Sequence, residues 1–329
     1  MKMPSIKDVA LKAGVGIATV SRVINQSGYV KEATRIKIEK VIKELEFKPN
    51  EIARSMTQQK NRIAAFILPN TKHLFFGELL FEVESALYEK NYKLMVCNSS
   101  EQLEKELIYI DMLKSNRVDS MILLTNNDIE EHLDKKYRII SFDRIFEGIP
   151  CVASDNYTGG KLAAEHLIER GARKFMFIGD DQQGSHTIVK TEVSKRRLAF
   201  KETLKKHGYT DLIEVEYPLG NYIDIPDDVQ EQVLKHHEVD GIFCISDTVA
   251  ARVIKTIESS GKRVPEDVKV IGYDGGRSFL NLGKSITSID QQPQLSAKAI
   301  VNIIDQYYND HEIEPIIITP VKLIVGEST

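Results

Sequence analysis

The sequence predicts two architectures in one chain: an all-α helix-turn-helix headpiece, followed by an α/β core of two doubly wound parallel-sheet lobes. Three observations predict it. Apolar residues recur at helical spacing through residues 5–45, with a glycine punctuating them. From Arg62 onward short apolar runs alternate with amphipathic stretches, the signature of βαβ units. Charge also changes sign along the chain: residues 1–60 hold twelve Lys and Arg against six Asp and Glu, a net of +6, so with the whole at -4 residues 61–329 carry -10. A basic segment on an acidic body suits a nucleic-acid reader joined to a domain with another task.

In the headpiece, Ile6, Val9, Ala10 and Ala13 recur at i, i+3, i+4 and i+7, which makes one apolar stripe, and Ser5 stands where an N-cap belongs. Gly14 ends this helix at a tight turn. A second helix over about 17–25 turns Val20, Val23 and Ile24 toward the first and leaves Ile17, Ala18, Ser21, Arg22 and Asn25 outward. Beyond a turn near Ser27 and Gly28, Ile38, Val41, Ile42 and Leu45 repeat the spacing and close a three-helix core. The outward face fits a major groove: small Ala18 and apolar Ile17 reach base edges and thymine methyls, while Arg22 forks onto guanine O6 and N7. Thr19, Ser21, Asn25, Thr34 and Arg35 are candidates for phosphate contact, and Ser5 is counted with the DNA-binding set. The competing reading is a plain small bundle in which Arg22 is a solvated charge.

In the core, IAAFIL, KLMVC and DSMILL alternate with helices over about 75–90 and 101–115. After a helix over 156–170 the pattern repeats with KFMFIG, IEVEYP, DGIFCI and VKVIGY, separated by helices over about 193–207, 226–236 and 247–260. Two similar lobes are the natural division, and roughly 270 residues suffice to bury two cores. Ligands of open α/β sheets sit beyond the carboxyl ends of strands, which singles out Asn70 to Phe76, Asp143, Asp155, Ser246, Asp247, Asp274 and Gln291. Polar groups there can hydrogen-bond the hydroxyls of a ligand such as a sugar, and Phe75 or Phe76 offers a ring face. Asp274, directly after VIGY, is the foremost of these, and the competing reading of each polar residue is a strand-end cap or an interlobe salt bridge.

Enzyme signatures fail on inspection. GGKLA lacks the spacing of a phosphate-binding loop, and neither GxGxxG nor GxSxG occurs. Cys97, Cys151 and Cys244 are widely separated in or beside apolar runs and read as buried thiols. The eight histidines show no paired metal spacing, and His236 with His237 ends a polar helix. We therefore expect no catalysis, no metal and no cofactor. The charged, amphipathic N-terminus and the want of any bilayer-length apolar run argue against a signal peptide or a membrane span, so a cytoplasmic location is expected.

Together, IKDVALKAGV, ATVSRVIN, ARSM, DNYTGGKLAAEHL, VIGYDG and TSIDQ resemble the LacI/GalR family of bacterial transcriptional regulators over essentially the whole length. Within it, PNTKHLFFGELL, VCNSS, SFDR and LIVGEST are similar to sucrose-operon repressors of low-GC Gram-positive bacteria. The resemblance implies a headpiece over 1–48, a hinge helix and linker over 49–61, and a periplasmic-binding-protein-like core over 62–329. The core chain would cross between lobes three times, with an N-lobe of about 62–160 and 291–318, a C-lobe of about 161–290 and 319–329, and a last helix from about Pro293 returning to the first lobe. It also implies a hinge over 50–56, too short and polar to be stable alone, that folds on DNA, with Met56 as a minor-groove wedge where the family usually has Leu and Ala53 allowing close helix approach. Gly16, a weaker cap, replaces the family's usual Ser.

Asp274 and Arg196 match the family's ligand-binding aspartate and arginine, and Gln291 its late polar contact. With Asn70, His73, Phe75, Phe76, Asp155 and Ser246 they form the effector-binding candidates. Ser246 stands where many members have Asn, and Ala199 where RxxGF members have Gly. The implied protein is a dimeric repressor of a carbohydrate-utilisation operon that binds a pseudo-palindromic duplex and is switched by a small sugar or phosphosugar between its lobes. Effector and DNA would then alter each other's affinity by one common factor. Because the chain stops at Thr329 after LIVGEST, with no further heptad helix for tetramers, a homodimer is expected. Two alternatives are a global catabolite regulator with a phosphorylated carrier protein as corepressor, and a sugar-binding module whose headpiece no longer binds DNA.

Overall fold

The computed structural model describes residues 4–25, 27–47, 61–180, 191–217, 227–275, 283–309 and 311–329. It divides into two units, Met1–Asn61 and Arg62–Thr329. The hinge candidates Ala53 and Met56 lie outside the described residues.

The first unit contains α1 (Ile6–Ala13), α2 (Ile17–Ile24) and α3 (Glu32–Glu44). The Asp8 carboxylate accepts from both the backbone N–H and the hydroxyl of Ser5, each at 2.7 Å, which fixes the start of α1. Gly14 closes it with φ 64°, a left-handed conformation that costs glycine nothing. Val9, Ala13, Val20, Val23, Ile38 and Val41 form the core that the spacing predicts, whereas Ile6, Ile24, Ile42 and Leu45 are only partly buried around it. Val30 and Phe47 complete it from the turns flanking α3, where no periodicity announces them.

In the second unit β1 (Ile63–Leu68), β2 (Lys93–Asn98), β3 (Ser120–Leu123), β4 (Ile139–Phe142), β5 (Cys151–Ser154) and β11 (Ile316–Thr319) form one sheet, ordered β11-β5-β4-β3-β1-β2 and parallel throughout. A second sheet takes β6 (Phe175–Asp180), β7 (Leu212–Tyr217), β8 (Gly241–Cys244), β9 (Lys269–Tyr273), β10 (Thr287–Asp290) and β12 (Lys322–Ile324) in the matching order β12-β10-β9-β8-β6-β7. Only its edge pair β10 and β12 is antiparallel. Central strands such as β3, β4 and β5 are buried at every residue, because helices cover both faces.

On the first sheet, α4 (Leu74–Glu89) and α10 (Pro293–Tyr308) pack together on one face, and α5 (Leu103–Lys114) covers the other. The second sheet carries α6 (Asn156–Glu169), α7 (Ser194–Lys206), α8 (Asp227–Lys235) and α9 (Asp247–Ser259). The chain therefore passes between lobes after β5, after β10 and after β11. The first passage falls at Asp155, a few residues before 160, because Ala163, Ala164 and Leu167 seat α6 in the second lobe's core.

Two glycines set how closely α6 lies on its neighbours. A Cβ on Gly160 would stand 2.1 Å from the carbonyl oxygen of Arg196, and one on Gly159 would stand 2.3 Å from the Tyr273 hydroxyl. The first obstacle is backbone and cannot rotate away. Gly160→Ala should therefore push α7 outward and cost about 1–3 kcal/mol of stability, read as a lower urea midpoint at unchanged slope. A midpoint equal to that of the parent protein would show that the helices separate freely here.

Candidate functional site

In the headpiece, α2 presents Ile17, Ala18 and Arg22 to solvent, while Val20 and Val23 point into the core. Asn25 donates to the Ser21 hydroxyl at 3.2 Å, which ties two of the proposed phosphate contacts together. Thr34 and Arg35 lie half-buried in the first turn of α3, and Ser5 is exposed at the start of α1. The segment between α2 and α3 also exposes Tyr29, which sequence periodicity gave no reason to single out. Gly16 caps α2 without a side-chain bond, so its first-turn N–H groups keep no protein side-chain partner there.

In the core, residues just past the carboxyl ends of β4, β5, β8, β9 and β10 meet in one buried polar chain. Arg196, on the first turn of α7, donates through Nε to Asn156 Oδ1 at 2.7 Å and through Nη1 to the Ile245 carbonyl at 3.0 Å. Its guanidinium carbon lies 3.6 Å from the centre of the Tyr273 ring. Asn156 Nδ2 donates to the Ser154 carbonyl at 3.0 Å and to Asp143 Oδ1 at 3.4 Å. Ser154 Oγ donates to Gln291 Oε1 at 2.8 Å, and Gln291 Nε2 donates to Asp274 Oδ1 at 2.7 Å. His73, at the start of α4, places Nε2 3.8 Å from Asp274 Oδ2. The chain thus runs from the second lobe through the first and back, and each of these side chains is buried.

Burial dominates the electrostatics. It pushes Asp274 up to about 7, with Arg196 and the Gln291 hydrogen bond pulling back. Asp143 is pushed up to about 6 for the same reason, again opposed chiefly by Arg196. His73 falls to about 4, first by burial and then by the nearby guanidinium. His73 is therefore neutral at pH 7, and its contact with Asp274 is dipolar rather than an ion pair. Asp143 and Asp274 also hold positive φ, 55° and 104°, a conformation that non-glycine residues adopt at a cost and that concentrates at functional sites.

Of the nine expected effector residues, Arg196, Asp274, Gln291 and His73 are brought together. Three others bond nearby backbone, Asp155 and Ser246 at helix starts and Asn70 in the turn before α4, whose own N-cap His73 makes no side-chain bond. Asn70 Oδ1 accepts from the N–H groups of Lys72 and His73 at 3.0 and 2.9 Å, Asp155 from Thr158 at 3.0 Å, and Ser246 from Val249 at 3.3 Å. Phe75 is turned away from the cleft: only 3% exposed, it packs in the first lobe's core with its ring 6.1 Å from that of Phe142. Its spacing with Leu79, Val83 and Leu87 on α4 already carried that signal. Phe76 is half-buried, its ring centre 4.5 Å from that of His73, and so borders the polar chain.

Sequence reasoning missed Asn156, Ser154 and Tyr273, and singled out Asp143 only as a strand-end position. Tyr273 directly precedes Asp274 on β9, and Asn156 opens α6 within DNY, so both sit beside recognised positions. Without a sheet topology nothing brings them to Arg196.

Comparison with known proteins places this architecture. Residues 5–50 match the model for bacterial regulatory proteins of the lacI family, and residues 164–329 match that for the periplasmic binding protein-like domain. The sucrose operon repressor of Pediococcus pentosaceus is 35% identical over 328 residues, covering 98% of each chain. The ribose operon repressor of Halalkalibacterium halodurans is 33% identical, covering 99% of this chain and 97% of its own. In fold, the crystal structure of the lac repressor dimer bound to operator and the anti-inducer ONPF superposes with a TM-score of 0.85 over 100% of this chain and 99% of its own, at 20% identity. On these matches, spanning headpiece and core, the chain belongs to the LacI family of bacterial regulatory proteins.

Proposed function

We propose that this protein is a cytoplasmic, homodimeric repressor of a carbohydrate-utilisation operon, bound to a pseudo-palindromic operator and controlled by a small sugar or phosphosugar held between its core lobes. The observation that carries the DNA half is the solvent-facing set Ile17, Ala18 and Arg22 on a helix whose other face is locked into the headpiece core. The buried chain joining both lobes supports the effector half, since a ligand that rearranges Arg196, Gln291 or Asp274 changes how the lobes are held. Relatives named as repressors of sucrose and ribose operons support a sugar-utilisation target. Two subunits would set two recognition helices in successive major grooves, with Ala53 and Met56 of the paired hinges at the centre.

Fluorescence anisotropy with inverted-repeat duplexes tests this reading. The full chain should prefer one such duplex over random DNA, with affinity falling steeply with salt. Arg22→Ala should lose about 1–3 kcal/mol of that preference and keep the non-specific, salt-sensitive component. Equal loss on all duplexes would place Arg22 on phosphate rather than on a base.

A further inference from the structure

We propose that the amino edge of the first lobe, where β1 to β4 begin, is a second contact surface for duplex DNA, one that grips the phosphate backbone without reading sequence. This rests on the chain being a DNA-binding repressor.

The charge of that edge is the first observation. Residues 61–329 carry a net of -10. Within them, β4, β3, β1 and β2 are neighbours in that order and run parallel, so the segments leading into them, 61–63, 89–93, 114–120 and 134–139, lie side by side. These segments hold eight Lys and Arg against Glu89, Asp119 and Asp134, a net of +5. A cation in the last turn of a helix is the ordinary complement to its dipole, so basic turns alone would mean little. The corresponding segments of the second lobe, 169–175, 206–212, 235–241 and 259–269, also hold eight Lys and Arg, but with six Asp and Glu, a net of +2. What distinguishes the first lobe is the scarcity of carboxylates between the cations, and a polyanion is the partner that such a field attracts. The patch is bounded, because Glu147, Glu312 and Glu314 lead into β5 and β11 on the same edge.

The second observation is how the cations are held. Arg62, Lys90, Arg117 and Lys135 are exposed. The Arg62 guanidinium carbon lies 5.9 Å from the centre of the Tyr92 ring, that of Arg138 lies 4.6 Å from the centre of the Tyr308 ring, and the two rings are 5.2 Å apart. A guanidinium laid on a ring keeps its forked donors ordered, which lowers the cost of closing on a phosphate.

The third is composition and place. Among the described residues, which include all four segments, no large apolar side chain of the segments is exposed, so the patch lacks the anchor on which protein interfaces depend. Arg62 is also where the chain from the headpiece enters the core, so a duplex bound by the headpiece is tethered to this edge.

Fluorescence anisotropy of the full chain on a random-sequence duplex of about 40 base pairs, followed across a salt series, decides the matter. Arg117→Gln combined with Lys135→Gln removes two exposed charges that enter no ion pair among the described residues. The slope of log affinity against log salt should become shallower by about 2 per bound subunit. Arg170→Gln combined with Lys206→Gln takes the same charge from the exposed amino edge of the second lobe and should leave the slope unchanged. Urea midpoints equal to the parent's establish that both variants fold. A parental slope retained in the first variant would overturn the proposal and make an acidic protein surface the partner of the patch. An equal change in both variants would overturn it as well, by tracing the effect to overall charge. A parent protein without salt-sensitive binding to any duplex would instead remove the DNA-binding reading itself.

Discussion

Arg196→Ala should be the most damaging single substitution in the core. It removes a buried cation whose charge holds down both Asp143 and Asp274, and strips a donor from both Asn156 Oδ1 and the Ile245 carbonyl. Each buried acceptor left without its donor costs about 1–3 kcal/mol, and the two buried carboxyls lose their nearby countercharge as well. The deficit should depend on pH in a defined direction. Asp143 and Asp274 titrate near 6 and 7 in the folded protein, above the ordinary 3.8, so the folded state holds protons that the unfolded state releases. Stability from such groups is full below the unfolded value and is lost as pH rises through the folded one. Without the guanidinium both carboxyls rise further, and the loss at high pH deepens. Urea unfolding at pH 5 and pH 8 should show the larger deficit at pH 8. Equal deficits would mean that Arg196 acts by packing on Tyr273 alone.

The second large effect has the opposite sign. Asp274→Asn should make the ligand-free protein more stable at pH 8 while ending the response to effector. A carboxyl that titrates near 7 instead of 3.8 withholds, at about 1.4 kcal/mol per pH unit, about 4 kcal/mol once the pH passes 7. An asparagine oxygen still accepts from Gln291, so the polar chain survives and only the cost of a buried charge disappears. The gain should be near zero at pH 4, grow to about pH 7 and then level off. A variant less stable than its parent at pH 8 would show that ionised Asp274 is satisfied in the free protein. A stabilising change that silences a protein marks a residue kept for binding rather than for folding.

Much of this was legible in the sequence, for reasons that can be named. Periodicity reports burial, so the stripe of Val9, Ala13, Ile38 and Val41 and the alternation of runs and helices after Arg62 gave the headpiece and the parallel sheets directly. Strand-end logic found Asp274, Gln291 and Asp143, because a polar residue after an apolar run is visible without coordinates. Family resemblance supplied Arg196, which no local pattern marks as functional. Asn156 stayed hidden because Asp-Asn ahead of an amphipathic stretch reads as a helix start, and Asp155 does serve as one. Its link to Arg196 spans 40 residues and exists only once Gly159 and Gly160 let α6 settle against α7 and Tyr273. Phe75 was misplaced for the converse reason: it lies near a strand end, yet its helical phase already assigned it to the interior.

The three passages between the lobes bear on how such a protein can be altered. Ser154 and Asn156 flank the first passage, Gln291 lies in the second, and Pro320 in the third accepts from Gln292 beside it. On the proposed function, the segments that join the lobes and the groups offered to a ligand are therefore largely the same residues. Retuning ligand choice at these positions would also reset the resting balance between lobe orientations, so selectivity and responsiveness are not independent dials here. Variants selected for a new inducer should emerge already leaky or already locked, and second changes elsewhere in the core would be needed to restore the range.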